Sequence, residues 1–118
     1  MARRKVADEE LFKYAPFELL RNFLALMTGK KFDIFRLVCE RPGISIAEIT
    51  RELGLPKSTV SSAIAAMREQ RLVETRIVVD EKSKRVRVRV YPNVETLSLV
   101  TKELEILYLK ARRSRLEQ

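Results

Sequence analysis

Residues 45–73 read SIAEITRELGLPKSTVSSAIAAMREQRLV, and their pattern decides the fold. Ser45 and Glu48 have the spacing of a capping box, in which each side chain accepts a hydrogen bond from the backbone N–H of the other residue. A short helix is therefore predicted to begin at Ser45. It should end at Gly54, because glycine adopts the left-handed conformation of a sharp turn at little cost.

A second helix is predicted over residues 56–70. Pro56 should lie in its first turn, where the fixed φ angle of proline is favourable and its missing N–H costs nothing. At 100° per residue, the apolar positions Val60, Ala63, Ile64 and Met67 fall on one side of this helix. The opposite side is small and polar, whereas a solvated helix face favours long charged side chains. This contrast indicates that another molecule approaches the helix closely.

The periodicity changes after Arg71 from helical steps to strict alternation, which predicts a β-hairpin over residues 73–91. Its turn, residues 80–84, is polar and is predicted to be flexible. In the second strand three arginines alternate with three valines, so the arginines share one face of the strand. Charge that protects an edge strand explains one or two of them, and the remaining positive charge favours a polyanionic partner.

Helices are also predicted on both sides of this region. Residues 8–27 have the pattern of an amphipathic helix with a break just before Pro16, which would begin a second segment in its first turn. Residues 30–40 form another helix, and residues 93–117 form a long one capped by Asn93. The first helix has too many apolar positions for a surface helix, and the last would be about 37 Å long. Both features favour dimerisation through the two termini, with burial of the first helix in its own core as the alternative.

The composition limits the class of protein. The 118 residues suit one domain, and 24 Lys and Arg against 16 Asp and Glu give a net charge of +8. With no histidine and one cysteine, the chain lacks the ligands of a structural zinc site and the residues of a Ser-His-Asp or Cys-His catalytic group. An enzyme, a cofactor and a metal are therefore not expected.

Two further expectations follow from single features. Cys39 lies in an apolar run, which predicts a buried and unreactive thiol, with a redox sensor as the alternative. The first residues turn acidic where a signal peptide would become apolar, and no apolar run reaches membrane-spanning length. A cytoplasmic protein without a membrane partner is therefore expected.

The order of helix, helix, glycine turn, helix and cationic hairpin resembles the winged helix-turn-helix of the MarR and ArsR types of transcription regulator, particularly their small archaeal members. The resemblance is most specific over residues 45–91. Its closest matches are the stretches Ser58-Thr59-Val60-Ser61 and Arg71-Leu72-Val73, where many relatives have glycine at the position of Arg71. The Cys and His ligands of metal sensing in the ArsR type are missing.

This resemblance implies a mainly α fold with a two-stranded β wing, a winged helix-turn-helix with extended N- and C-terminal dimerisation helices. Residues 1–118 are expected to form one domain. Within it, residues 8–27 are the N-terminal dimerisation helix, residues 30–91 the winged helix-turn-helix core, and residues 93–117 the C-terminal dimerisation helix.

The residues and the resemblance together predict a homodimer that binds double-stranded DNA, most simply as a transcription regulator. The helix over residues 56–70 would enter the major groove, and the wing over residues 73–91 would follow the backbone or the minor groove. The predicted DNA-binding residues are Lys57, Ser58, Thr59, Ser61, Ser62, Arg68, Arg76, Lys82, Lys84, Arg85 and Arg87. The predicted dimer interface consists of Leu11, Phe12, Leu19, Phe23, Leu97, Val100, Leu104, Leu107 and Tyr108.

Two alternatives stay open. The reading helix lacks Arg, Asn and Gln in its first two turns, which favours a chromatin or plasmid-partition protein with low sequence preference. The same fold could also serve as a protein-interaction module. Whether a small molecule acts as an effector is not determined by the sequence.

Overall fold

The computed structural model describes residues 17–117, and in this part of the chain five helices surround a small sheet. The sheet is antiparallel with strand order β1-β3-β2. The predicted mainly α fold with a β wing is confirmed, and β1 adds a short third strand. In chain order the elements are α1 (Glu18–Leu26), α2 (Lys30–Glu40), β1 (Ile44–Ser45), α3 (Ile46–Leu53), α4 (Lys57–Glu69), β2 (Val73–Val79), β3 (Val86–Pro92) and α5 (Val94–Glu117).

The capping box at the start of α3 is formed as predicted. The Ser45 hydroxyl accepts from the backbone N–H of Glu48 at 3.1 Å, and the Glu48 carboxylate accepts from the Ser45 N–H at 3.2 Å and from its hydroxyl at 2.9 Å. These hydrogen bonds lower the pKa of Glu48 below its ordinary value. Gly54 ends the helix in the left-handed conformation, with φ 62°.

Two helix starts differ from the prediction. Pro56 is the N-cap of α4 rather than a residue of its first turn, because its ψ of 144° is extended while its carbonyl accepts from the Val60 N–H at 3.2 Å. Likewise α1 begins at Glu18, because Phe17 before it is the N-cap and is left-handed with φ 67°. The predicted helix over residues 8–16, including Leu11 and Phe12, lies outside the described residues.

A buried apolar cluster joins α2, α3, α4 and the base of the sheet. The last helix packs mainly on α1, where Leu20 and Val100 are both buried, and contacts the cluster through Leu97. The Glu103 carboxylate of α5 accepts from the Leu20 N–H at 3.0 Å and so satisfies a free donor at the start of α1, which has no side-chain cap of its own. The cluster consists of Ile34, Phe35, Val38, Ile44, Ile49, Val60, Ala63, Ile64, Met67, Leu72, Val73 and Val90.

The predicted burial of Cys39 is wrong, because its side chain is exposed on α2. Val38 is fully buried, and the next residue of a helix lies about 100° further round, which turns Cys39 away from the core. Partial desolvation, together with the adjacent Glu40 carboxylate, raises the pKa of the thiol. The thiol is therefore held in its neutral and less nucleophilic form.

The end of α4 is closed by a Schellman motif centred on Arg71. The Arg71 N–H donates to the Arg68 carbonyl at 3.0 Å, and the Leu72 N–H donates to the Met67 carbonyl at 2.9 Å. Leu72 and Met67 are buried together beside the motif. Arg71 itself has φ 58°, a left-handed conformation that normally favours glycine.

Replacing Arg71 by glycine is expected to stabilise the protein. The left-handed conformation costs a residue with a Cβ about 1–2 kcal/mol, and the extra freedom of glycine in the unfolded chain offsets about 0.5–1 kcal/mol of the gain. The expected net effect is about 0.5–1 kcal/mol, seen as a rise of a few degrees in the melting temperature. Arg71→Ala removes the same side chain but keeps the strain, so equal melting temperatures for the two variants would contradict this account.

None of the helices within residues 17–117 combines the length and the apolar content that a membrane span requires.

Candidate nucleic-acid interface

The outer face of α4 consists of small side chains that solvent reaches. Ser58 and Ser62 are exposed, and Thr59 and Ser61 beside them are half-exposed. On the inner side Val60, Ala63, Ile64 and Met67 are buried in the core. Lys57, the first residue of the helix, is exposed, and none of residues 57–60 is acidic. This face can approach another surface closely while the core holds the helix in place.

The wing is a hairpin whose two faces differ in character. In the register of β2 and β3, Arg76 lies opposite Arg89 and Val78 opposite Arg87, which collects positive charge on one face. The other face is apolar, with Val73 and Val90 buried at the base. Further out the same face is exposed at Ile77, Val79 and Val86, because the hairpin extends beyond the helices that cover its base.

Three arginines in and beside the wing are held by contacts within the protein. The Arg68 guanidinium donates to the Thr75 hydroxyl at 3.3 Å and joins the outer side of α4 to the wing. Arg76 lies over the ring of Tyr91, with its guanidinium carbon 4.8 Å from the ring centre. Arg89 donates to the Gly43 carbonyl at 2.9 Å.

The tip of the wing is a hydrogen-bonded turn built around Asp80, whereas the sequence predicted a flexible loop. The Asp80 carboxylate accepts from the Lys82 N–H and from the Ser83 hydroxyl, each at 3.0 Å. The backbone N–H of Asp80 donates to the Arg85 carbonyl at 2.9 Å, and the backbone carbonyl of Asp80 accepts from the Lys84 N–H at 2.6 Å. The hydrogen bonds to its carboxylate lower the pKa of Asp80. One carboxylate thus organises a tip that carries exposed Lys82, Lys84 and Arg85, with Arg87 exposed next to it.

A cleft beside α4 adds residues that the sequence analysis did not single out. Its volume is about 490 Å³, and it lies between the start of α2 and the first half of α4. Lys30 and Lys31, the first two residues of α2, contribute its charge. The signal in the sequence was a pair of lysines directly after Gly29, at the beginning of a helix. The lining residues are Thr28, Lys30, Lys31, Ile34, Ser58, Thr59, Ser62 and Ala63.

The residues predicted for dimerisation divide into two groups. Phe23 makes an edge-to-face contact with Phe35 at 5.7 Å between ring centres, Val100 is buried, and Leu97 packs against the core. Leu19 is half-buried. The other group, in the middle of α5, is exposed: Leu104 by 55%, Leu107 by 40% and Tyr108 by 58%.

Comparison with known proteins gives one sequence family and several solved structures. The MarR family matches residues 27–85, which is half of the chain. None of the curated proteins matches the chain. Reduced HlyU from Vibrio cholerae is 22% identical, with a TM-score of 0.59 over 85% of this chain and 97% of that one.

Two other structures are similar over nearly the whole of this chain. A MarR protein from Peptoclostridium difficile is 22% identical, with a TM-score of 0.53 over 96% of this chain, which spans only 64% of that protein. The complex of MepR from S. aureus with DNA is 15% identical, with a TM-score of 0.50 over 99% of this chain and 76% of that one. These structures share the winged-helix fold described above. The chain belongs to the MarR family and has the fold of its winged-helix transcription regulators.

Proposed function

We propose that this protein is a homodimeric transcription regulator that binds double-stranded DNA. The observation that carries the proposal is the small, polar outer face of α4, next to a cationic wing that the contact between Arg68 and Thr75 joins to it. The fold is shared with MepR, for which a complex with DNA is known. In this proposal the protein has no catalytic role and acts in the cytoplasm.

Small side chains on α4 suit a helix that lies in the major groove. Ser58, Thr59, Ser61 and Ser62 let the backbone come near the base edges, and their hydroxyls can bond to either donors or acceptors. Lys57 at the start of the helix would meet a phosphate or a guanine. These side chains discriminate between bases less strongly than Arg, Asn or Gln, which form two hydrogen bonds to one base.

The wing would contribute contacts to the sugar–phosphate backbone. Lys82, Lys84 and Arg85 at its tip and Arg87 beside them are exposed and positively charged. Contacts of this kind fix the orientation of the protein on the duplex and carry little sequence information. Arg68 and Arg76 already have partners within the protein. In this proposal their first role is to orient the wing, and contact with DNA is a second role.

Dimerisation would cover the exposed apolar residues of α5. This helix has 24 residues, about 36 Å, and its middle presents Leu104, Leu107 and Tyr108 to solvent. A second copy of the chain offers the same surface and can cover it by twofold symmetry. Two copies would then present two α4 helices to one face of the duplex.

A second candidate function is DNA binding with low sequence preference, as in a chromatin or partition protein. It is favoured by the serine-rich reading face and by the net charge of +8. Selection of bound sequences from a random DNA pool, followed by Kd measurements on selected and random duplexes at one salt concentration, separates the two. A regulator should prefer its selected site by about 10³ or more. A ratio below about ten favours the second candidate, and no binding to any duplex would contradict both.

Replacing Arg85 and Arg87 together by alanine is expected to weaken binding to all sequences about equally. Each lost phosphate contact should lower the slope of log K against log salt concentration by about one unit, and base preference should persist. Titrations by fluorescence anisotropy at several salt concentrations measure both quantities. The control is Lys102→Ala with Arg113→Ala, which removes the same charge from the side of α5 opposite Leu104. An equal slope for wild type and wing variant would rule out contacts of these arginines with the backbone.

A further inference from the structure

We propose that the cleft between α2 and α4 binds one sugar–phosphate strand of the DNA, with Lys30 and Lys31 as its cationic wall. This inference rests on the proposed function and extends it. It names a second phosphate-binding surface, separate from the wing, on the opposite flank of α4.

The chemistry of the cleft suits a phosphodiester. Lys30 and Lys31 line one side, and residues with hydroxyl groups line both sides, namely Thr28 next to α2 and Ser58, Thr59 and Ser62 on α4. Ile34 and Ala63, which are almost fully buried, form an apolar floor. Lysine and hydroxyl side chains are common donors to phosphate oxygens, while the apolar floor suits a deoxyribose. The lining includes no carboxylate, since Asp33 of α2 is not among its residues.

The position of the cleft matches the path of a DNA strand. A helix with its side chains is about 10–12 Å wide and fills a major groove about 12 Å wide, so the two sugar–phosphate strands run along its flanks. Thr59 and Arg68 are nine residues apart, and at 100° per residue they lie on opposite sides of α4. Thr59 lines the cleft, whereas Arg68 contacts the wing. The exposed Ser58 and Ser62 lie between these flanks, so each flank meets its own strand.

Lys30 and Lys31 lie where the electrostatics of a helix disfavour positive side chains. Positive side chains are unfavourable in the first turn of a helix, where the backbone already carries partial positive charge. Lys30 and Lys31 begin α2, and Lys57 begins α4. Lys30 and Lys31, which both line the cleft, are explained in these unfavourable positions if an anion occupies it, because a phosphate would be attracted by their ammonium groups and by the start of α2.

The test is Lys30→Gln with Lys31→Gln in the full-length protein, titrated with duplex DNA by fluorescence anisotropy at several salt concentrations. The expected result is a Kd raised tenfold or more at low salt and a salt slope reduced by about two units per bound subunit. The control, Lys102→Gln with Arg113→Gln on the side of α5 opposite Leu104, removes the same net charge away from the cleft and should leave the slope unchanged. Lys30→Arg with Lys31→Arg keeps the charge and should keep the slope.

Two further readouts complete the test. The melting temperature of the glutamine variant should equal or exceed that of wild type, because positive charge is removed from a helix start. Hydroxyl-radical footprinting should show a patch of sugars that loses protection in this variant and retains it in the wing variant. If wild type binds DNA and the cleft variant matches the control in slope and footprint, the inference is overturned while the proposed function stands. If wild type binds no DNA, the proposed function fails and the inference fails with it.

Discussion

Replacing Leu104 and Leu107 by glutamate is expected to convert the dimer into a folded monomer. Both side chains are exposed within one chain, so glutamate there leaves the core intact. In the proposed dimer they lie between two copies of α5, and each carboxylate would lose its hydration without gaining a partner. Desolvation of one such charge costs several kcal/mol, and the variant brings four to the interface. The Kd of dimerisation should rise at least a thousandfold, about 4 kcal/mol, as measured by light scattering over a dilution series.

Ser98→Glu is the matched control, because Ser98 is exposed and lies on the opposite side of the same helix from Leu107. This variant should stay a dimer. The monomeric variant should also lose most of its affinity for DNA, since each subunit supplies only one reading helix. A truncation from Leu97 onward would test less, because it also removes Val100 and Glu103, which stabilise α1 within the same chain. If the glutamate variant is a dimer at all concentrations, the interface lies elsewhere.

Local sequence signals predicted most of the fold. The capping box at Ser45 and the left-handed Gly54 depend on hydrogen bonds and backbone angles within a few residues, so the sequence determined both. The alternation in residues 73–79 and 85–90 likewise predicted the wing, although β3 begins at Val86 and continues to Pro92. Short-range physical chemistry is sufficient for such elements.

Features that depend on tertiary packing could not be predicted from local sequence signals. Cys39 lies in an apolar run, yet the side of α2 that is buried is set by the packing of Val38, and the cysteine is exposed. The contact of Arg76 with the ring of Tyr91 joins two strands, so the sequence alone did not indicate it. Lys30 and Ser62 are 32 positions apart in the sequence, and only the fold brings them to one cleft.

In the candidate site, too, some features follow from the local sequence and others depend on tertiary packing. The outward direction of Ser58 and Ser62 follows from the helical period, and the structure exposes both. The proposed division of labour between two flanks of α4 depends instead on which helix and which strand lie beside it. Sequence periodicity predicts the face of a helix, but the neighbours of that face come from the tertiary fold.

Ser62→Glu is expected to abolish most DNA binding while the protein stays folded and dimeric. Ser62 is exposed on α4, opposite the buried residues of that helix, and glutamate has a slightly higher helix propensity than serine. A carboxylate there would repel the phosphates and would also offset one of the two positive charges of Lys30 and Lys31, which line the same cleft. The Kd should rise tenfold or more, where each factor of ten corresponds to about 1.4 kcal/mol.

Two neighbouring substitutions separate charge from size in this experiment. Ser62→Gln has nearly the same shape as Ser62→Glu without the charge, and we expect it to weaken binding less than the glutamate does. Ser62→Ala loses one hydroxyl and should bind within about tenfold of wild type, because a single hydrogen bond contributes only about 0.5–1.5 kcal/mol. Melting temperature and light scattering must show that all three variants are folded dimers. If the folded glutamate variant binds DNA like wild type, α4 does not read the duplex, and the protein-interaction alternative then becomes the better account of its small polar face.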